Sequence, residues 1–84
     1  MNPVLMNIVL DALAFLELSG DEVVHPDAAV GLVESIAACL KSLAPADRQV
    51  FLEFVEVEAR AAALRDDSRV AQFLRTLPEA LGLR

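Results

Sequence analysis

Residues 2–20, NPVLMNIVLDALAFLELSG, carry the strongest structural pattern in the chain. Asn2 is a good helix N-cap, and Pro3 occupies the first helical position, where its missing N–H costs nothing. At the other end Gly20 follows Ser19 and can take the left-handed conformation that ends many helices. The pattern therefore predicts a first helix over residues 3–18.

This first helix is apolar around more than half of its circumference when its residues are plotted at about 100° per residue. Asn7, Asp11 and Glu17 are its main polar positions. A helix so apolar is usually the central one in its domain or is shared with another subunit. A shared helix would place Met6, Leu13 and Phe15 in a homodimer interface.

The remaining apolar periodicity is also helical, and no repeat or flexible linker divides the chain. The sequence predicts an all-α fold in a single domain (residues 1–84): a compact bundle of three long helices plus a short C-terminal helix. Gly31 lies inside the second helix, where we expect it to permit the close approach of a neighbouring helix. The predicted bounds are Pro26 to about Leu43, about Pro45 to Arg65, and a last helix that starts near Asp66, Asp67 or Ser68 and ends or kinks at Pro78. The pattern also allows one further turn from Pro78 to Leu81, before Gly82.

The composition excludes several classes of protein. An 84-residue chain should bury only a little over ~60% of its unfolded surface. Because 56% of the residues are hydrophobic, some apolar surface is expected to meet a partner. The apolar content excludes disorder, and the single Cys39 excludes a disulfide scaffold. A net charge of −6 disfavours nucleic-acid binding, because an acidic chain repels phosphates.

The apolar N-terminal run does not have the features of a targeting segment. No Lys or Arg precedes it, and Asp11 and Glu17 interrupt it. A secretory signal needs a basic start, and a membrane span needs about 20 apolar residues free of acids. We therefore expect a soluble cytoplasmic protein that does not bind membranes, and one unpaired cysteine fits a reducing compartment.

The net charge belongs entirely to the first half of the chain. Residues 1–40 contain six acids and no Lys or Arg, whereas residues 41–84 contain seven acids and seven bases. One interpretation is a solvated acidic turn that aids solubility. The other is a docking surface for a basic protein, because surfaces kept only for solubility usually mix both signs. The predicted partner-binding residues are Glu17, Asp21, Glu22, Asp27 and Glu34.

Candidate chemistry is sparse. Glu22 and His25 have the Glu-x-x-His spacing of bundle metal sites, but such sites need a second motif and further inward-facing carboxylates. We expect His25 to cap the second helix just before Pro26, with no metal and no cofactor. Cys39 is predicted to be a small core residue, since only His25 could activate it as a nucleophile. No catalytic residue is assigned, and we expect no enzymatic activity.

The arginines of the tail have acidic neighbours in the sequence. Arg69 lies close to Asp66 and Asp67, and Arg75 lies close to Glu79. We expect ordinary pairing along the helix surface, which is worth only tenths of a kcal/mol per pair.

Three segments, residues 17–29, 43–48 and 73–83, resemble those of small uncharacterised helical bacterial proteins. Some proteins of that kind are immunity proteins, which are encoded beside a toxin that they neutralise. The resemblance implies a binding protein with no chemistry of its own, and it assigns no individual residue.

Two hypotheses of function follow. The first is an immunity- or antitoxin-like inhibitor whose acidic surface covers the basic cleft of a partner protein, for instance a toxin domain. The second is a self-associating structural or regulatory module that forms a homodimer through the first helix. The two are compatible, because a dimer can also be an inhibitor.

Overall fold

Four α-helices joined by short connections form the protein, and the computed structural model describes residues 1–84. No strand is present, so the predicted all-α class is confirmed. The helices have 16, 16, 20 and 13 residues, which confirms the three-long-plus-one-short description only in part, because the last is not much shorter than the first two. Their bounds are α1 Pro3–Leu18, α2 Pro26–Lys41, α3 Pro45–Leu64 and α4 Ser68–Ala80.

The helix starts follow the predicted caps. The Asn2 side chain accepts hydrogen bonds from the backbone N–H of Val4 at 2.8 Å and of Leu5 at 3.3 Å. His25 caps α2 as expected, because its Nδ1 accepts from the N–H of Asp27 at 3.2 Å. These bonds satisfy amides that have no partner within their own helix.

The connection from α3 to α4 depends on two aspartates. Asp66 has φ 59°, the left-handed conformation that usually belongs to glycine. The next N–H, of Asp67, bonds to the carbonyl of Ala62 at 2.9 Å and closes α3. The Asp67 carboxylate then accepts from the N–H of Val70 at 3.2 Å, so Asp67 is the N-cap of α4.

Of the outcomes predicted at Pro78, an end of α4 is wrong, since the helix continues to Ala80, in agreement with the further turn predicted from Pro78 to Leu81. Pro78 lies in the last turn, where its missing N–H removes only one helical bond, and its ring is fully buried. After Ala80 the chain leaves the helix through Leu81 and Gly82, and Gly82 has φ 73°. The N–H of Leu83 then bonds to the carbonyl of Pro78 at 2.9 Å, as in a Schellman ending.

The four helices form a ring whose closest packing is between α3 and α4, and α1 contacts both α2 and α3. The side between α2 and α4 is more loosely packed and is called here the open side. Gly31 does not serve close packing as predicted, because it is exposed and nothing lies within 4 Å of the position its Cβ would take. The core draws on every helix and on the tail: Met6, Leu10, Leu13, Ala37, Leu40, Phe51, Val55, Ala59, Leu74, Leu77, Leu81 and Leu83.

The apolar arc of α1 divides into two faces, so α1 is not a central helix. Met6 and Leu13 lie in the core, while Ile8 and Phe15 remain more than half exposed. The predicted interface of Met6, Leu13 and Phe15 is therefore corrected, because the first two side chains face inward. No helix has the length and apolarity that crossing a bilayer requires.

Candidate partner-binding groove

The five predicted partner-binding carboxylates are all exposed. Glu17 lies in the last turn of α1, and Asp21 and Glu22 lie in the turn that follows. Asp27 is in the first turn of α2, and Glu34 is two turns further along the same helix face. None of the five forms a salt bridge, because both ion pairs of the molecule use Glu56. Their negative charge is therefore not cancelled at close range.

Two of these carboxylates meet at a cleft on the open side of the ring. The cleft has a volume of about 320 Å³, and both Glu17 and Glu34 line it. The structure thus brings together two acids that are 17 positions apart in the chain. Apolar side chains from α2 and α4 and the adjoining Leu81 supply most of its lining: Val30, Val33, Phe73, Leu77, Ala80 and Leu81.

A second cavity of about 350 Å³ extends this cleft along the same two helices. The two cavities share Val33, Glu34, Ala80 and Leu81, so together they form one channel, called here the α2–α4 groove. Glu79 adds a third carboxylate, and Lys41 is the only base that lines the groove. Sequence reasoning missed Glu79, because its position opposite α2 depends on how far α4 continues past Pro78.

Asp21, Glu22 and Asp27 do not line the groove. Asp21 and Glu22 belong to the turn between α1 and α2, which adjoins the end of the groove where Glu17 lies, and Asp27 is in the first turn of α2. The Glu22 side chain folds back over Gly20. The predicted set therefore separates into two carboxylates in the groove and three outside it.

The two candidate reactive side chains lie elsewhere. His25 is engaged in capping α2. Cys39 is exposed, which corrects its prediction as a core residue, because its neighbours Ala37 and Leu40 take the inward positions of that turn. No cluster of three or more potential metal-ligating side chains is present.

The arginines of the second half make contacts that sequence proximity does not indicate. A cavity of about 340 Å³ between α3 and α4 is lined by Arg60, Arg75 and Arg84 together with Glu56. Glu56 pairs with Arg60 and with Arg84, each at 3.5 Å. Arg69 donates a hydrogen bond to the carbonyl of Leu18 at the end of α1. None of these pairs with Asp66, Asp67 or Glu79, which corrects the expectation of local pairing.

Comparisons of the chain with family models, curated proteins and solved structures found no match. The assignment of a function therefore rests on geometry, charge and apolar exposure.

Proposed function

We propose that the protein is a non-catalytic binding module whose α2–α4 groove accepts a basic, amphipathic segment of a partner protein. The observation that carries this proposal is the pair Glu17 and Glu34, which stand without a cationic partner at the sides of an apolar cleft. An acidic cluster alone would serve solubility equally well. The apolar floor beside it adds a surface on which a partner side chain loses contact with water.

The chemistry of the groove favours a helix as the occupant. An amphipathic helix places aliphatic anchors three and four residues apart in an apolar groove, here against Val30, Phe73 and Leu77. Lysine and arginine at its edges lay their methylene stems along apolar surface and keep their charged ends in water. Glu17 and Glu34 lie where such charged ends would emerge.

The other three carboxylates, Asp21, Glu22 and Asp27, have a different role in this proposal. They lie outside the groove, so they act at longer range by attracting a basic partner during encounter. The immunity- or antitoxin-like inhibitor is the more specific form of the proposal. A cytoplasmic toxin that acts on nucleic acids has a positive cleft, and this acidic end would cover it.

A titration with a defined peptide tests the groove. The probe is a synthetic helical peptide with leucines at three- and four-residue spacing flanked by lysines, and the reference peptide carries glutamates in place of the lysines. We expect the basic peptide to shift the amide resonances of Val30, Glu34 and Phe73. The double variant Glu17→Lys/Glu34→Lys should weaken its binding about 100-fold, since like charges then face each other across a partly dry contact.

The matched control is Asp47→Lys/Glu53→Lys, two exposed acids of α3 outside the groove. Both double variants raise the formal net charge from −6 by +4, to −2. Equal weakening by the two would mean that only overall charge matters, and the groove would lose its role. Equal binding of the acidic and the basic peptide would contradict the proposal as well.

The two groups of carboxylates should separate kinetically. In stopped-flow measurements, Asp21→Lys/Glu22→Lys/Asp27→Lys should lower the association rate constant about tenfold at low salt and leave the dissociation rate constant nearly unchanged. The effect should fade as salt shortens the Debye length to a few ångströms. A change confined to dissociation would place these residues in direct contact and would contradict their steering role.

A further inference from the structure

The outer face of α1 is apolar and uncovered. Its large side chains Val4, Leu5, Ile8 and Phe15 are each exposed to between 55% and 67%. Val4, Ile8 and Phe15 recur at four- and seven-residue spacing, the repeat that keeps side chains on one helix face. None of the four is needed for the core.

A second apolar stripe follows α3. Val50, Phe54, Val57 and Leu64 recur at spacings of four, three and seven residues. Phe54 is half-buried, but Val57 is 55% and Leu64 89% exposed. A fully solvated leucine on an ordered helix is commonplace alone, whereas a heptad-like stripe is the pattern by which helices pair.

The two stripes adjoin each other. Val4 of α1 and Phe54 of α3 line the same shallow cavity between the helices. The exposed members Val4, Leu5, Ile8, Phe15, Val50, Val57 and Leu64, with Phe54, are called here the α1–α3 face. Its residues belong to α1 and α3, whereas α2 and α4 with the adjoining Leu81 supply most of the α2–α4 groove.

The area of this face is large for so small a protein. Summed over both stripes, its exposed residues present on the order of 700 Å², whereas the largest single apolar patch on a typical monomer measures ~300–600 Å². The value is close to the ~800 Å² that each partner contributes to a standard protein interface. Only 16 of the 84 residues are buried within the chain, although 56% are hydrophobic.

We propose that a second copy of this chain covers the α1–α3 face, forming a two-fold dimer. A two-fold axis places identical patches against each other, so an uncharged patch needs no complementary charge in its partner. The members of the two stripes are uncharged, while Glu58 lines the cavity that joins them, and Asp11, Glu58 and Arg65 line the next cavity between α1 and α3. A bilayer is disfavoured as the cover, because residues 1–40 carry no base to attract anionic lipid.

Sedimentation equilibrium from low micromolar to about 1 mM protein tests the dimer. We expect the wild-type chain to approach twice its 9.1 kDa mass within this range. Ile8→Lys on α1 and Val57→Lys on α3 should each raise the dissociation constant about 30-fold or more, as for buried interface anchors. Lysine lowers the net negative charge, so dissociation could not be attributed to greater repulsion between chains.

Leu32→Lys is the matched control, because Leu32 is 50% exposed on α2 and lies outside the face. Circular dichroism should show the same helix content and cooperative unfolding for all three variants. A wild-type chain that stays monomeric at 1 mM, or a dimer that Leu32→Lys weakens as much as Ile8→Lys does, would overturn the proposal. A dimer insensitive to Val57→Lys would remove α3 from the interface. Flotation of the monomer with phosphatidylserine vesicles would assign the face to lipid instead.

Discussion

Two cavities of nearly equal volume flank α4, and they carry opposite charge. The cleft towards α2 measures about 320 Å³ and is lined by Glu17 and Glu34. The cavity towards α3 measures about 340 Å³ and is lined by Arg60, Arg75 and Arg84. Size therefore does not distinguish them as sites.

The two cavities differ in whether their charged side chains are already paired within the cavity. Glu56 sits among the arginines and pairs with Arg60 and Arg84 at 3.5 Å, so part of the positive charge of that cavity is paired from within. It also lies over the most closely packed helix pair. The cleft towards α2 has no internal counter-charge and lies between helices that do not pack closely. A docking site is better recognised by unmet charge beside uncovered apolar surface than by volume.

The largest expected effect is on stability, and it comes from truncating a buried leucine of α4 that lines one of the two cavities. Leu74 lines the arginine cavity and Leu77 lines the acidic cleft, yet both are at most 5% exposed and belong to the core. Replacing either by Ala should lower the free energy of unfolding by about 2–5 kcal/mol, through lost burial and a residual cavity. Urea unfolding measures it, and a loss below ~1 kcal/mol for one of them would show that its cavity lies outside the core.

A designed counter-charge should make the acidic cleft resemble the arginine cavity. Thr76 lines the cleft, and its hydroxyl bonds only to the carbonyls of Gln72 and Phe73 in its own helix. Thr76→Arg should weaken binding of the basic peptide about tenfold by pairing with Glu17 or Glu34, while stability changes by less than ~1 kcal/mol.

The control for that variant is Ser35→Arg, because Ser35 also bonds only to its own helix, at the carbonyl of Gly31. It is exposed and does not line the α2–α4 groove. The same titration is run on both. If the two substitutions weaken binding of the basic peptide equally, the cleft has no local electrostatic role.

A smaller effect tests the turn that orients α4 between the two cavities. Asp66 adopts a positive φ, which costs a residue with a Cβ more than it costs glycine. Asp66→Gly should therefore raise the free energy of unfolding by about 0.5–1 kcal/mol, even after the greater flexibility of glycine in the unfolded chain. Thermal unfolding would detect it, and peptide binding should not change. A lower melting temperature would mean that the Asp66 side chain contributes a contact beyond its backbone.

The smallest effect should come from Glu56→Gln. Both ion pairs of Glu56 are at the surface, so stability should fall by no more than about 0.5 kcal/mol. Arg60 and Arg84 would then lack their counter-charge, and the acidic reference peptide should begin to bind at low salt. If it does not bind, internal neutralisation is not what separates the two cavities.

Local signals explain which parts of the fold could be predicted. Asn2, Pro3 and His25 act through neighbours within three residues, so the starts of α1 and α2 followed from the sequence alone. The end of α4 followed only as one of several alternatives, because the loss of one helical bond at Pro78 competes with burial of its ring in a core that only tertiary packing creates.

The candidate site was predictable in its charge but not in its shape. Residues 1–40 contain six acids and no Lys or Arg, and Glu17 and Glu34 were predicted as binding residues from that distribution of charge. Their meeting at one cleft, the addition of Glu79, and the bond from Arg69 to Leu18 across 51 positions depend on which helices become neighbours. The division of α1 into a buried and an exposed apolar face could not be predicted either, because Met6 and Ile8 are both apolar and only packing decides which of them is buried.

The ring arrangement of the helices has a consequence for stoichiometry. The α1–α3 face and the α2–α4 groove share no residue. Two protomers joined through the first would therefore leave both grooves uncovered, each free to bind. Such a dimer would be bivalent, with a limiting ratio of one partner molecule per chain. It would bridge two separate partners instead of clamping one, and avidity would arise only for partners that are themselves oligomeric or immobilised.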